Sequence, residues 1–260
     1  MIRFSANLGF LWTELPLLDR IEAAARAGFK AVELHYPYAT PPETVRDLCG
    51  RLGLTLLGVN TDIGSGAAQH SGLGALPGRE REFQSLIDQS VAWVAAAGGT
   101  SIHAMAGIVP EDQRAAGAET LIANLKSAAP KATAKGLTLL LEPLNQRNMP
   151  GYFYSSIEKA DEIIDRVGAP NVKIMFDAYH VGVSQGDIIT RLRKFYPRIG
   201  HVQIAAVPSR GEPDEGEIAY RAIFKELEAL GWPGWIGCEY KPRAGTEAGL
   251  TWLKTLGVSF

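Results

Sequence analysis

Cysteine is scarce in this chain: Cys49 and Cys238 are the only two among 260 residues, too few to staple a fold with disulfides. Five histidines and no C-x-x-C pair also exclude a cysteine-rich zinc centre. The apolar runs are all short, well under the roughly 18 residues that a transmembrane helix needs. The opening segment MIRFSANLGFLWTELP has Asn7 inside its apolar stretch and no clear small-residue cleavage site, so no signal peptide is expected and the chain reads as cytoplasmic. With 26 Lys and Arg against 28 Asp and Glu, no charge excess draws in nucleic acid or an anionic membrane. A small molecule is therefore the expected partner. A P-loop and a G-x-S-x-G turn are missing, and the glycines of GLGALPGRE lack the spacing and setting of a dinucleotide site.

What is present is a rhythm. The composition, 46% hydrophobic and 21% charged, is that of a globular chain. Short apolar or alternating runs recur as RFSANL (3–8), AVELH (31–35), TLLGVN (55–60), TSIHAM (100–105), LTLLLEP (137–143), VKIMFD (172–177), IGHVQIA (199–205) and GWIGCEY (234–240). Between them lie stretches of helical spacing such as PLLDRIEAAARAGF, with proline at the start and glycine past the end. Eight β-then-α units without a linker-like break match a (β/α)8 TIM barrel in one domain, residues 1–260. A doubly wound open sheet is the main rival. The longest loops, 61–80 and 145–156, both follow strands, where a barrel carries its active-site loops.

Glu142, Asp177, Gln203 and Glu239 stand at the ends of the fifth to eighth of these runs, 35, 26 and 36 residues apart. Neighbouring barrel strands bring such side chains together. Three carboxylates converging without compensation repel one another, a difficulty that a divalent cation removes. Oxygen ligands without histidine favour Mg2+ or Mn2+ over zinc, and the four residues read as a shared metal or acid/base site. His201 falls on the face of Gln203 one layer deeper, which suits a structural histidine. His180, in the loop after Asp177, is a candidate substrate contact, as are His70 and His103. Arg210 and Lys241 are cations suited to a substrate carboxylate. Glu43, Glu80, Glu82 and the Glu212–Glu217 run read as solvated charge, and Trp12, Tyr36 and Tyr38 as exposed aromatics fit for an interface or a pocket cover, compatible with a homo-oligomer.

The segments RFSANLGFLWTE, GFKAVELHYPY, ALPGREREF, EPLNQRNMPGYF, FDAYH, GHVQIA, RGEPDEGEI and GWIGCEYKPRAGTEAGL together resemble the hydroxypyruvate isomerase family, with its 2-oxo-tetronate isomerase relatives, among the xylose isomerase-like barrels. The resemblance runs from Arg3 to Leu253. It implies isomerisation of a small hydroxy-oxo acid, such as hydroxypyruvate to 2-hydroxy-3-oxopropanoate, through a cis-enediolate, with Glu142 and Glu239 as the catalytic pair. Asp177 and Gln203 are implied as the remaining metal ligands, although related sugar epimerases commonly have histidine at the position of Gln203. The rivals are a 2-oxo-tetronate isomerase or ketose 3-epimerase using the same site and a non-catalytic binding barrel. A three-zinc nuclease is disfavoured by the scarcity of histidine and the lack of positive charge.

Overall fold

The computed structural model describes residues 2–64 and 71–260. The strands are β1 (Arg3–Asn7), β2 (Ala31–Glu33), β3 (Thr55–Leu56), β4 (Gly58–Asn60), β5 (Ser101–His103), β6 (Thr138–Leu141), β7 (Val172–Asp177), β8 (Ile199–Ile204) and β9 (Trp235–Cys238). All pair in parallel, in the order β3-β2-β1-β9-β8-β7-β6-β5-β4. β3 and β4 are one barrel strand in two pieces. The break falls at Leu57, whose carbonyl accepts from both Thr100 N (2.8 Å) and Ser101 N (2.9 Å), an irregularity that shifts the ladder by a residue. Bonds from Leu57 N to Val32 O (2.9 Å), Leu34 N to Gly58 O (3.0 Å) and Asn60 N to His35 O (2.9 Å) then close the ring. The result is the (β/α)8 barrel that the alternation predicts.

Helices cover the outside: α1 (Leu17–Arg26), α2 (Pro42–Leu52), α3 (Glu80–Ala97), α4 (Arg114–Thr133), α5 (Ile157–Val167), α6 (Ala178–Ser184), α7 (Ile188–Phe195), α8 (Tyr220–Ala229), α9 (Thr246–Gly249) and α10 (Trp252–Leu256). Their starts follow from local chemistry. Pro42 opens α2, where its missing N–H costs nothing, and the Ser156 hydroxyl caps α5 by accepting from Lys159 N. α6 begins directly at the end of β7, because the Asp177 carboxylate accepts from Tyr179 N at 2.8 Å and caps the turn. Among the described residues no helix is long and apolar enough to cross a membrane.

Two surface assignments made from sequence are reversed. Trp12 is buried, not exposed: its indole N–H donates to Glu247 at 2.6 Å, and its backbone N–H donates to Thr246 Oγ1 at 2.9 Å. Glu212 is also buried, accepting from the backbone N–H and Nε of Arg243 at 3.1 and 2.8 Å. Both depend on the chain after β9 folding back over the barrel, a contact that no local pattern encodes. Tyr36 is exposed as expected and Tyr38 half-buried.

The same fold-back seats Trp252, fully buried, edge-on to Phe4 at 5.2 Å and donating its N–H to the Tyr240 hydroxyl at 3.0 Å. Trp252→Ala should therefore cost about 3–5 kcal/mol of stability, read from denaturant unfolding; a loss under about 1 kcal/mol would contradict this packing.

Candidate active site

The C-terminal ends of β6 to β9 carry the four residues singled out above. Asp177 closes β7, Gln203 is the penultimate residue of β8, and Glu142 and Glu239 each lie one residue beyond β6 and β9. Register sets Asp177 beside Gln203, and Gln203 beside Gly237. All four side chains are buried. Glu142 Oε1, Asp177 Oδ2, Gln203 Oε1 and Glu239 Oε2 have no hydrogen-bond partner among the described residues, so the barrel holds unsatisfied hard oxygens at its mouth.

The histidines sort into distinct roles. His103, expected as a substrate contact, places Nδ1 3.4 Å from Glu142 Oε2 and is buried. Burial pushes its pKa down to about 3, so it is neutral and brings Glu142 no charge. His180, expected in a loop, sits on the first turn of α6 with Nε2 3.8 Å from Glu142 Oε1 and 3.7 Å from Asp177 Oδ2. Among the described residues Glu142, Asp177 and His180 offer ligand atoms within 4.8 Å of one another. The His180 ring, however, takes the backbone N–H of Asn145 on Nδ1 at 2.8 Å. Burial, and then Arg210, hold this ring well below the usual histidine range, so it is neutral and its one proton belongs on Nε2. That nitrogen is a donor, suited to a substrate oxygen rather than to a metal. His201 is structural, as expected, 3.1 Å from Glu33 and deeper in the barrel. His70 lies outside the described residues.

Two residues that sequence reading passed over complete the site. His35 approaches Glu239 at 3.3 Å. Glu33 is buried, and although burial pushes its carboxyl up, His201 with Ser5 and Gln203 outweigh this and hold it below the usual range. Both stand in AVELH, at the end of the second barrel strand. Applying the strand-end rule to that run would have found them. Arg210 lies 3.6 Å from Glu239, with its guanidinium over the rings of Phe10 (4.5 Å) and Tyr179 (5.0 Å). The turn holding it is fixed by Arg210 N to Ala206 O and Lys241 N to Arg210 O at 2.8 and 2.7 Å. Lys241 is exposed at the rim of the same cavity, about 260 Å3 in volume.

Charge balance is the dominant feature. Burial first, then Glu239 and Asp177, push the Glu142 carboxyl well above its usual range. Burial and then Glu239 raise Asp177 to about 7, against the opposing pull of Arg210. Unsatisfied carboxylate oxygens that repel one another fit a divalent cation. Glu142, Asp177, Gln203 and Glu239 have the oxygen chemistry to hold one, with His180 beside it as a donor.

The sequence profile described as "Xylose isomerase-like TIM barrel" matches residues 21–256. The chain belongs to this family. Within it, the chain is 46% identical to the 2-oxo-tetronate isomerase of Cupriavidus necator, covering 98% of both chains. It is 38% identical to the hydroxypyruvate isomerase of Escherichia coli over 97% of this chain and 98% of that one. These matches make the chain an isomerase of the hydroxypyruvate isomerase group. A crystal structure described as an AP endonuclease of family 2 from Brucella melitensis superposes with a TM-score of 0.95, at 42% identity and 98% coverage of both chains. At 20% identity, a 3-keto-D-glucoside 4-epimerase from E. coli superposes with a TM-score of 0.81 over 98% of this chain and 99% of that one, showing the shared barrel alone.

The electrostatics of this isomerase site predict a pH effect. With Asp177 raised to about 7 in the fold, against about 3.9 unfolded, the folded chain binds the extra proton between these values. Its contribution to stability is therefore lost as pH rises to about 7 and is flat above. In EDTA, Asp177→Asn should melt above the wild type at pH 8, with the gap closing toward pH 5.5; a gap that widens on acidification contradicts the reading.

Proposed function

We propose that this isomerase acts on a small hydroxy-oxo acid, interconverting hydroxypyruvate and 2-hydroxy-3-oxopropanoate. The observation that carries the reading is the burial of Glu142 and Glu239 at one cavity with unsatisfied oxygens, each beside a histidine and with Arg210 against Glu239. Moving the carbonyl from C2 to C3 requires a proton to leave C3, a proton to reach C2, and the hydroxyl proton to pass from O3 to O2. An enediolate lies between.

Glu239 is the base in this scheme. Arg210 at 3.6 Å compensates its charge, whereas the neutral His103 beside Glu142 does not, so Glu142 is the group that returns a proton to C2. His180 Nε2–H donates to the substrate oxygen that gains charge. Lys241, at the rim, takes the substrate carboxylate, and Arg210 adds to that field. A cation held by Glu142, Asp177, Gln203 and Glu239 supplies Lewis-acid polarisation of the carbonyl when bound, Mg2+ or Mn2+ being the fit for oxygen ligands.

The cavity also has an apolar wall of Phe10, Met105, Leu144 and Met149. That wall leaves the hydroxyls of a ketohexose unpaired on one side, which is costly and favours the shorter acid, while Tyr36, Asn60 and Asn148 supply the polar part of the lining. A four-carbon 2-oxo-tetronate is the second reading, favoured by the relative of that activity at 46% identity. A nuclease reading finds no cationic surplus, with 26 Lys and Arg against 28 Asp and Glu.

The test is NMR in D2O with hydroxypyruvate, 2-oxo-tetronates and a ketohexose. The acids should exchange and isomerise while the ketohexose stays inert. Glu239→Gln should abolish C3 proton exchange, whereas Glu142→Gln should still exchange C3 but form product at least about 100-fold more slowly. Wild-type turnover by Glu239→Gln contradicts the site, and the opposite exchange pattern reverses the two roles.

A further inference from the structure

Glu33 belongs to a group of buried polar side chains beneath the carboxylates that the proton transfers above do not use. Its carboxylate accepts from the Ser5 hydroxyl, from Asn7 Nδ2 at 3.5 Å and from Gln203 Nε2 at 2.9 Å, with His201 Nε2 3.1 Å away. The Asn7 amide is itself fixed, since its Oδ1 accepts from Gly9 N at 3.0 Å. Glu33 is thus surrounded by donors and acts only as an acceptor. The Gln203 amide cannot turn over, because that would set its carbonyl oxygen against the Glu33 carboxylate. Gln203 Oε1 is thereby directed away from Glu33, buried and without a partner among the described residues. The neighbouring strand leaves room for this arrangement. A Cβ at Gly237 would lie 2.4 Å from Glu33 Oε1 and 2.8 Å from Gln203 Cγ, so a side chain there would push both groups out of place.

We infer that Glu33 is a positioning residue: through the Gln203 amide it presents Oε1 to Glu142, Asp177 and Glu239 as a neutral oxygen ligand for a divalent cation. The inference rests on the cation reading of the site. Gln203 adds an oxygen without adding charge, so it completes a hard ligand set without increasing the repulsion among the three acids. Groups that orient a metal ligand commonly change affinity by about 10–100-fold when removed.

The test is a Mn2+ titration of metal-stripped protein, followed by EPR, for the wild type, Glu33→Gln, Gln203→Met and the double variant. Glu33→Gln should weaken binding by about 10–100-fold. The double variant should bind no more weakly than Gln203→Met alone, because Glu33 acts through that amide. Ser5→Ala, which removes one donor to Glu33, should show the same pattern at smaller size and serves if Glu33→Gln does not fold. A Glu33→Gln protein with wild-type affinity, or losses that simply add in the double variant, overturns the inference. The metal-free side-chain amide spectrum separates this from the cation reading. Gln203 should give one shifted, exchange-protected NH2 pair in the wild type and lose that protection in Glu33→Gln. A wild type that takes up no Mn2+ sinks the cation site, and an unprotected Gln203 amide sinks the role of Glu33.

Discussion

Burying like charges is the constraint on which this molecule is organised. Glu142, Asp177 and Glu239 converge at one end of a closed barrel, and among the described residues the half-buried Arg210 is the permanent cation set against Glu239. Desolvation alone raises the cost of each ionised form, and mutual repulsion raises it further. A fold keeps such a cluster only where rigid elements hold it together. Here the closed ring of β-strands does so, since a strand cannot withdraw one acid without breaking ladder bonds on both sides.

The rest of the mouth can be understood as the response to that cluster. Arg210 is fixed over Glu239 by a turn bonded to the backbone of Lys241 and is held between Phe10 and Tyr179. His180 is given a defined tautomer by Asn145, which makes it a donor among acceptors. Glu33 has its own donors and its own histidine, which hold its carboxyl below the usual range although burial pushes it up. The chemistry proposed for the site uses the charge that this arrangement leaves unbalanced.

Much of this was legible in the chain itself. The β/α alternation predicted the barrel, and the rule that acids at strand ends form sites brought out Glu142, Asp177, Gln203 and Glu239, which the structure does place side by side. The same rule applied to AVELH would have added Glu33 and His35. What could not be read was non-local. Trp12 is buried by Thr246 and Glu247, and Glu212 by Arg243, contacts made only once the last segment closes over the first. The tautomer of His180 depends on a backbone N–H 35 positions away. The split of the third barrel strand at Leu57 arises from a carbonyl shared by two donors, which hydrophobic period does not record.

The acids at the mouth are held together most simply by a cation that they share. Calorimetric titration of metal-stripped protein with Mn2+ near pH 6, in two buffers of different protonation enthalpy, measures uptake and proton release together. With Asp177 raised to about 7, the prediction is one ion bound per chain with net release of protons, and affinity that rises with pH. Binding without proton release, or no binding at all, would contradict it.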